Sequence, residues 1–261
     1  MSVKRAGQMP VWQQIAEDLR QAISDGTMPP GAQLPTEAEL TARFQVARNT
    51  ARQALASLVS EGLIVAARPR GYFVRDRKPI NYRPQQEFMP QPRYIETDRF
   101  IAQHSAEGRE ARQTIEISIV DPPEIVKERL HLQDGELTVV RKRVRYLDGE
   151  PFNTNDSYFP LSLAQGTDIM RPDDIARGAN RVLSERGYCQ IHALDEFYIR
   201  MPTPEEARRL ALMPGTPVAY HVVTGYTSDG TAVRVVLNVL PGDRHVIAFE
   251  RTRPAEELVE S

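Results

Sequence analysis

The chain has 261 residues, 41% of them hydrophobic and 26% charged, and a formal net charge of −2, the composition of an ordinary globular protein with room for two domains. Its single cysteine, Cys189, excludes an intrachain disulfide and any metal site built on several cysteines. No apolar run approaches the roughly 18 residues of a membrane span, and Met1-Ser2-Val3-Lys4-Arg5 leads into no apolar core, so the expected location is the cytoplasm.

Charge is unevenly spread. Residues 1–78 carry 11 Lys/Arg against 7 Asp/Glu, whereas residues 79–261 carry 22 against 28. A basic front joined to an acidic remainder suits a nucleic-acid module attached to something else. In chain order, Pro10 opens a helix whose apolar positions Val11, Ile15, Leu19, Ala22 and Ile23 recur at helical spacing, and Gly26 ends it. Thr36 then starts a second helix, with Glu39 completing a capping box. A third begins near Ala47 and turns Ala51, Leu55, Leu58 and Val59 inward. Its outer face carries Arg48, Asn49, Arg52 and Gln53, side chains able to reach phosphates and base edges. Leu63-Ile64-Val65 and Tyr72-Phe73-Val74 read as a hairpin whose tip holds Arg68 and Arg70. Three helices and a basic hairpin make a winged helix-turn-helix, whose wing tip suits a minor groove.

Residues 10–74 resemble the DNA-binding domain of the GntR family of bacterial repressors. The match runs through Gly26, Pro30-Gly31, Leu34-Pro35, Glu37, Glu39-Leu40, Val46, Arg48, Thr50, Arg52, Glu61-Gly62-Leu63-Ile64 and Arg70-Gly71-Tyr72-Phe73-Val74. The resemblance implies base or phosphate contacts from Arg48 and Arg52, a phosphate contact from Thr50 and a wing around Arg68 and Arg70 in a minor groove; Thr36, Glu37, Asn49, Gln53 and Gly71 complete the expected DNA face. Three positions depart from the family pattern: Ala38 for a DNA-contacting arginine, Ala47 for a capping Ser or Thr, and Pro69 for a wing glycine.

Residues 75–93 hold four prolines among polar residues and read as a semi-extended linker. Beyond them, Asp121-Pro122-Pro123-Glu124 predicts a helix to about Leu130 with a proline in its first turn. Leu137–Tyr146 reads as a strand, and Asp148-Gly149 turns it into a second over Phe152–Phe159. The pattern repeats: a helix from Thr203-Pro204-Glu205-Glu206 to Leu212, a strand Val218–Thr227, the turn Asp229-Gly230 and a strand Val233–Leu240. A helix over 173–186 and a strand over Ile191–Arg200 lie between the repeats. The expectation is an α+β domain with two pseudo-symmetric halves of one antiparallel sheet.

This second region resembles the effector-binding domain of the HutC subfamily, the UTRA domain, whose fold is similar to chorismate lyase. Arg143-x-Arg145, Asp148-Gly149-Glu150-Pro151, Tyr158-Phe159-Pro160, Glu196, Pro214-Gly215-x-Pro217, Tyr226, Asp229-Gly230 and Gly242-Asp243-Arg244 carry the match. The expected organisation is a DNA-binding domain over 1–78, a linker over 79–93, a sensing and dimerisation domain over 94–251 and a tail over 252–261.

Strand alternation puts Arg141, Arg143 and Arg145 on one face. They form either a solvent face of weak ion pairs or the wall of an anion pocket, and the resemblance implies that Arg143 and Arg145 line an effector site. Tyr158, Glu196, His221, Tyr226 and Asn238 fall on predicted strands and would complete it. The family often has an arginine at the place of His221 and an acid at that of Arg234. No histidine pair has metal-ligand spacing, and no phosphate-binding loop or nucleophile elbow is present. No metal, cofactor or catalytic residue is expected. The reading is a homodimeric, effector-released repressor of a double-stranded DNA operator, with no membrane partner. The alternatives are a constitutive repressor, for example of plasmid transfer, and a lyase-like enzyme fused to a DNA-binding head.

Overall fold

The computed structural model describes residues 9–67, 69–76, 79–88 and 98–251. The chain divides into two compact units, one lying mainly within residues 1–78 and the other within 79–200 and 218–261.

The first unit holds α1 (Val11–Ser24), α2 (Glu37–Phe44), α3 (Arg48–Ser60) and the antiparallel hairpin β1 (Ile64–Ala67) and β2 (Gly71–Val74). The apolar stripes read from the sequence meet in one core of Ile15, Leu19, Leu40, Ala51, Leu55, Leu58, Ile64 and Val74. Fully burying each large aliphatic side chain is worth roughly 1.5–3 kcal/mol. Thr36 caps α2 and Glu39 returns the bond to the Thr36 N–H at 2.7 Å, closing the expected box. Gln45, left-handed at φ 51°, ends α2 and sets the turn into α3. Ala47 leaves α3 without a side-chain cap.

The second unit is built on six antiparallel strands: β4 (Ala111–Val120), β5 (Thr138–Leu147), β6 (Glu150–Pro160), β7 (His192–Arg200), β8 (Val218–Tyr226) and β9 (Ala232–Pro241). Their order is β4-β5-β6-β9-β8-β7. A strand, a helix and a hairpin therefore occur twice, joined where β6 pairs with β9, so the two halves share one sheet as expected. The missing outer member of the first half is β4, whose alternation of Ile115, Ile117 and Ile119 with polar residues was legible but unassigned.

One face of the sheet packs on α5 (Glu124–Leu130) through Val126, Leu130, Val140, Tyr158, Val222, Val235 and Leu237. The other face carries Val139, Phe159 and Val233 under α6 (Leu161–Ala164), a 3-10 turn over Asp168–Met170, and α7 (Ala179–Ser184). A third cluster joins Phe100 of α4 (Arg99–Ala106) to Leu147 and Phe152.

Four expectations change. The helix expected over 173–186 starts only at Ala179, because Gly178 at φ 78° breaks the chain direction before it. Both prolines precede α5: Pro123 is its N-cap residue, and no side chain caps the helix. The helix expected to reach Leu212, α8 (Pro204–Arg209), stops where Ala211 turns left-handed at φ 46°. Part of the linker is ordered: β3 (Ile80–Tyr82) pairs in parallel with β10 (His245–Ile247), and Ile80 packs on the Phe100–Leu147–Phe152 cluster. Residues 89–93 of the linker and the tail 252–261 lie outside the described residues.

Candidate nucleic-acid interface and ligand cavity

The start of α3 has apolar residues on one side only, so its other side faces solvent. The side chains of Arg48 and Arg52 are 78% and 62% exposed, and Asn49 and Gln53 stand beside them. Glu37 of α2 reaches across the turn, accepting from Arg48 Nε at 2.8 Å and lying 4.0 Å from Arg52 Nε. The Glu37 carboxylate therefore stands between the two guanidinium groups, hydrogen-bonded to Arg48 and at ion-pair distance from Arg52. Thr36 spends its hydroxyl on the cap, while Thr50 is half-buried in the first turn of α3. In the wing, Gly71 at φ 108° takes a conformation that favours glycine. Gln33 donates to the Arg70 carbonyl at 2.8 Å, and the Arg70 guanidinium lies over the Phe73 ring. Arg68 lies outside the described residues.

On the second unit a cavity of about 370 Å³ opens on the sheet face opposite α5. Strand parity decides who reaches it. Odd-numbered residues of β5 and β6 face it, among them Arg143, Arg145, Asn153, Asn155 and Ser157. Asp195, His221, Arg234 and Asn238 face it from the other half of the sheet, and Tyr82 faces it from β3.

Of the seven residues expected to bind an effector, the structure brings Arg143, Arg145, His221 and Asn238 together. It does not bring Tyr158, Glu196 or Tyr226. Tyr158 and Tyr226 pack with α5 on the opposite face, and Glu196 there holds Arg129 at 2.7 and 2.8 Å. Tyr158 and Glu196 each lie one residue from a cavity-facing neighbour, Ser157 and Asp195, and one residue along a strand changes the face.

The three arginines of β5 have separate fates. Arg141 is fully buried and donates to the carbonyls of Ile169, Arg171 and Asp173, so it ties the 3-10 turn to the sheet. Arg145 lies 3.7 Å from Asp98 and 4.8 Å over the Phe100 ring. Arg143 is 8% exposed and donates through Nη1 to Asn155 Oδ1 at 3.1 Å and Ser157 Oγ at 3.2 Å. Burial, with the charges of Arg145, Arg141 and Arg234, pushes its guanidinium down to about 9, still protonated at neutral pH. Burial alone would raise the Asp98 carboxyl, but Arg145, Arg143 and the Phe100 N–H hold it below the usual range. The arginines lining the cavity outnumber its two carboxylates, Asp98 and Asp195, a balance that favours an anionic occupant.

From Arg143 a row of polar side chains spans five strands and ends at the part-exposed Asp195. Asn155 Nδ2 donates to Asn238 Oδ1 at 2.7 Å, Asn238 Nδ2 meets His221 Nδ1 at 3.2 Å, and His221 Nε2 meets Asp195 Oδ1 at 2.7 Å. Tyr82 Oη lies 3.1 Å from the same His221 Nδ1. Phe197 stacks on the imidazole at 4.0 Å between centroids. Asn155, Asp195 and Tyr82 were not expected here. Asn155 shares the parity of the recognised Arg143 row, but Tyr82 lay in the presumed linker. Among the described residues no group of three metal-ligating side chains is present, and no helix is long and apolar enough to cross a membrane.

Comparison with known proteins supports both units. Residues 12–74 match the model for bacterial regulatory proteins of the gntR family, and residues 106–246 match the UTRA domain. The chain is 30% identical over 264 residues to an uncharacterized HTH-type transcriptional regulator of Streptomyces coelicolor, covering 98% of each. It is 26% identical over 243 residues to the mannosyl-D-glycerate transport/metabolism system repressor MngR of Escherichia coli, covering 91% of this chain and 94% of MngR. The crystal structure of PhnF from Mycobacterium smegmatis shares the fold, at a TM-score of 0.53 and 22% identity, covering 92% of this chain and all of PhnF.

Proposed function

The chain belongs to the gntR family of bacterial regulatory proteins, in the HutC-type branch whose second domain is UTRA, and from that premise we propose that it is a repressor released from its operator by a small anionic molecule. Transcriptional regulation through a DNA-binding gntR domain follows from the family. Repression is supported by the similarity to MngR, named as a repressor. Release by a ligand is supported above all by one observation: the buried Arg143 guanidinium faces a small-molecule-sized cavity with only neutral hydrogen-bond partners.

Arg48, Arg52, Asn49 and Gln53 are the proposed readers of the major groove, with Thr50, Arg70 and Gly71 as backbone contacts. One winged helix reads too few base pairs for operator specificity. The protein is therefore read as a homodimer on a palindromic site in the cytoplasm. It is read as a binding protein, so turnover of a cavity ligand would contradict the assignment.

The test is a fluorescence-anisotropy titration of the promoter adjacent to its gene, repeated with a panel of phosphorylated and carboxylated metabolites. Specific binding weakened at least tenfold by one of them is the expected result. Operator affinity unmoved by every anion would leave a constitutive repressor instead.

A further inference from the structure

A strand at the edge of a sheet presents backbone N–H and C=O groups to any strand that comes beside it, so natural sheets blunt their edges with charge, proline, a bulge or a cover. Among the described residues, β4 and β7 are the two edges of the six-stranded sheet. β4 follows the rule: its exposed side chains are Arg112, Thr114, Glu116 and Ser118, with Ile119 the one apolar exception.

β7 breaks it. The strand pairs with β8 from His192 to Arg200 without a bulge and contains neither proline nor lysine. Leu194, Tyr198 and Ile199 are exposed along it, Ile199 at 72%, and Ile191 is exposed just before it. Its charged side chains engage their own unit: Asp195 meets His221, Glu196 holds Arg129, and the Arg200 guanidinium lies 4.5 Å over the Tyr220 ring. A long, regular edge with exposed apolar side chains is a template for pairing.

The spacing says with what. Leu194 and Tyr198 lie two residues either side of Glu196, and Ala193 and Ile199 lie three either side. Two antiparallel copies of β7 related by a twofold axis at Glu196 set Leu194 against the partner's Tyr198 and Ala193 against the partner's Ile199, each twice. Facing apolar side chains of this kind stabilise a ladder. Moving the axis by one residue sets Leu194 against the partner's Glu196 or the partner's Arg200 instead. The two Glu196 carboxylates meet at the axis, and each already accepts two hydrogen bonds from its own Arg129 at 2.7 and 2.8 Å, which offsets their repulsion.

We propose that β7 is the dimerisation edge of this protein: a second copy of the chain lays its own β7 alongside, antiparallel about Glu196, and joins two sheets into one. This rests on the homodimer reading and supplies its surface, with the twofold symmetry that a palindromic site requires. β7 also carries Asp195 to the cavity, so the strand that meets the partner lines the ligand site as well.

Sedimentation equilibrium of the full chain tests the edge, and wild type should be a dimer. Leu194→Lys and Ile199→Lys, both at exposed positions, should each weaken dimerisation by about tenfold or more, while Ile119→Lys on the β4 edge should not. Disulfide cross-linking in a Cys189→Ser background tests the register and requires no added charge. Leu194→Cys and Tyr198→Cys chains should cross-link when mixed and not when oxidised separately. A wild-type dimer left intact by either folded lysine variant, or weakened as much by Ile119→Lys, would overturn the edge and leave the homodimer reading standing. Cross-links in the separate variants but none in the mixture would overturn the pairing about Glu196. A wild type that stays monomeric at every concentration and on operator DNA would sink the homodimer reading, and the edge with it.

Discussion

Arg143 and Asp195 stand at the two ends of one directed row of hydrogen bonds, spanning β5, β6, β9, β8 and β7. The row crosses the β6–β9 junction between the two halves of the sheet, so the cavity floor is one cooperative polar layer and not two abutting pockets. Cutting it in the middle should be costly. Asn238→Leu strands Asn155 Nδ2 and leaves His221 Nδ1 with Tyr82 alone, and each buried unmade bond costs about 1–3 kcal/mol. Urea denaturation of the variant should show a loss of about 1–3 kcal/mol.

The face assignment of the strands gives a contrast. Glu196→Gln disturbs the Arg129 pair on the α5 side, and Tyr158→Phe removes a hydroxyl among α5 contacts. Both should leave anion affinity within twofold of wild type, whereas Arg143→Ala should lower it at least tenfold. Calorimetric titration of the three variants with the same anion compares them directly.

His245 predicts a pH dependence of stability. Its Nδ1–H donates to the Pro241 carbonyl at 3.0 Å, the Phe152 ring centroid lies 4.2 Å away, and among the described residues its buried Nε2 has no partner. Burial pushes the imidazole down to about 4, against an ordinary 6.5, with the Pro241 bond opposing. The unfolded chain therefore binds a proton below pH 6.5 that the folded chain refuses until about pH 4. Stability is fully present above pH 6.5 and declines between 6.5 and 4, by about 3 kcal/mol in all at 1.36 kcal/mol per unit. His245→Phe should flatten urea midpoints across that window. Midpoints that fall equally in both proteins would rule out His245 as the source.

For the DNA face, Arg48→Ala and Arg52→Ala should each weaken operator binding by about 1–3 kcal/mol and lower the salt slope by about 1. The second unit and anion binding should be untouched. Glu37→Gln breaks an ion pair whose arginine partner is 78% exposed, so its stability cost should stay below about 1 kcal/mol. Its effect should appear in operator affinity, because the acid stands between Arg48 and Arg52. Normal affinity in Glu37→Gln would show that the two arginines need no such partner.

Ala47 occupies the N-cap of α3 with extended geometry and makes no side-chain bond. Ala47→Ser supplies an acceptor for the free N–H groups of the first turn. It should raise stability by about 1 kcal/mol, read as an upward shift of the thermal midpoint. No gain would mean that the serine hydroxyl finds another partner.

Sequence alone determined what is set by neighbours a few residues apart. The Thr36–Glu39 box, the helical stripes of α1 to α3, the Asp148-Gly149 and Asp229-Gly230 turns and the alternation of Arg141, Arg143 and Arg145 are all short-range signals. Local backbone geometry obeys such signals wherever the segment ends up. Tertiary structure alone decided which strand lies beside which, and hence what each side chain meets. Three arginines identical in pattern became a tie to backbone carbonyls, a partner of Asp98 and a buried cation bonded to Asn155 and Ser157. Asn155 and Asn238, 83 residues apart, became neighbours only because β6 pairs with β9. Tyr158, Glu196 and Tyr226 were lost to the opposite face because a strand reverses its side chains at every residue. Its register is set by the packing of both faces at once, which no single strand encodes.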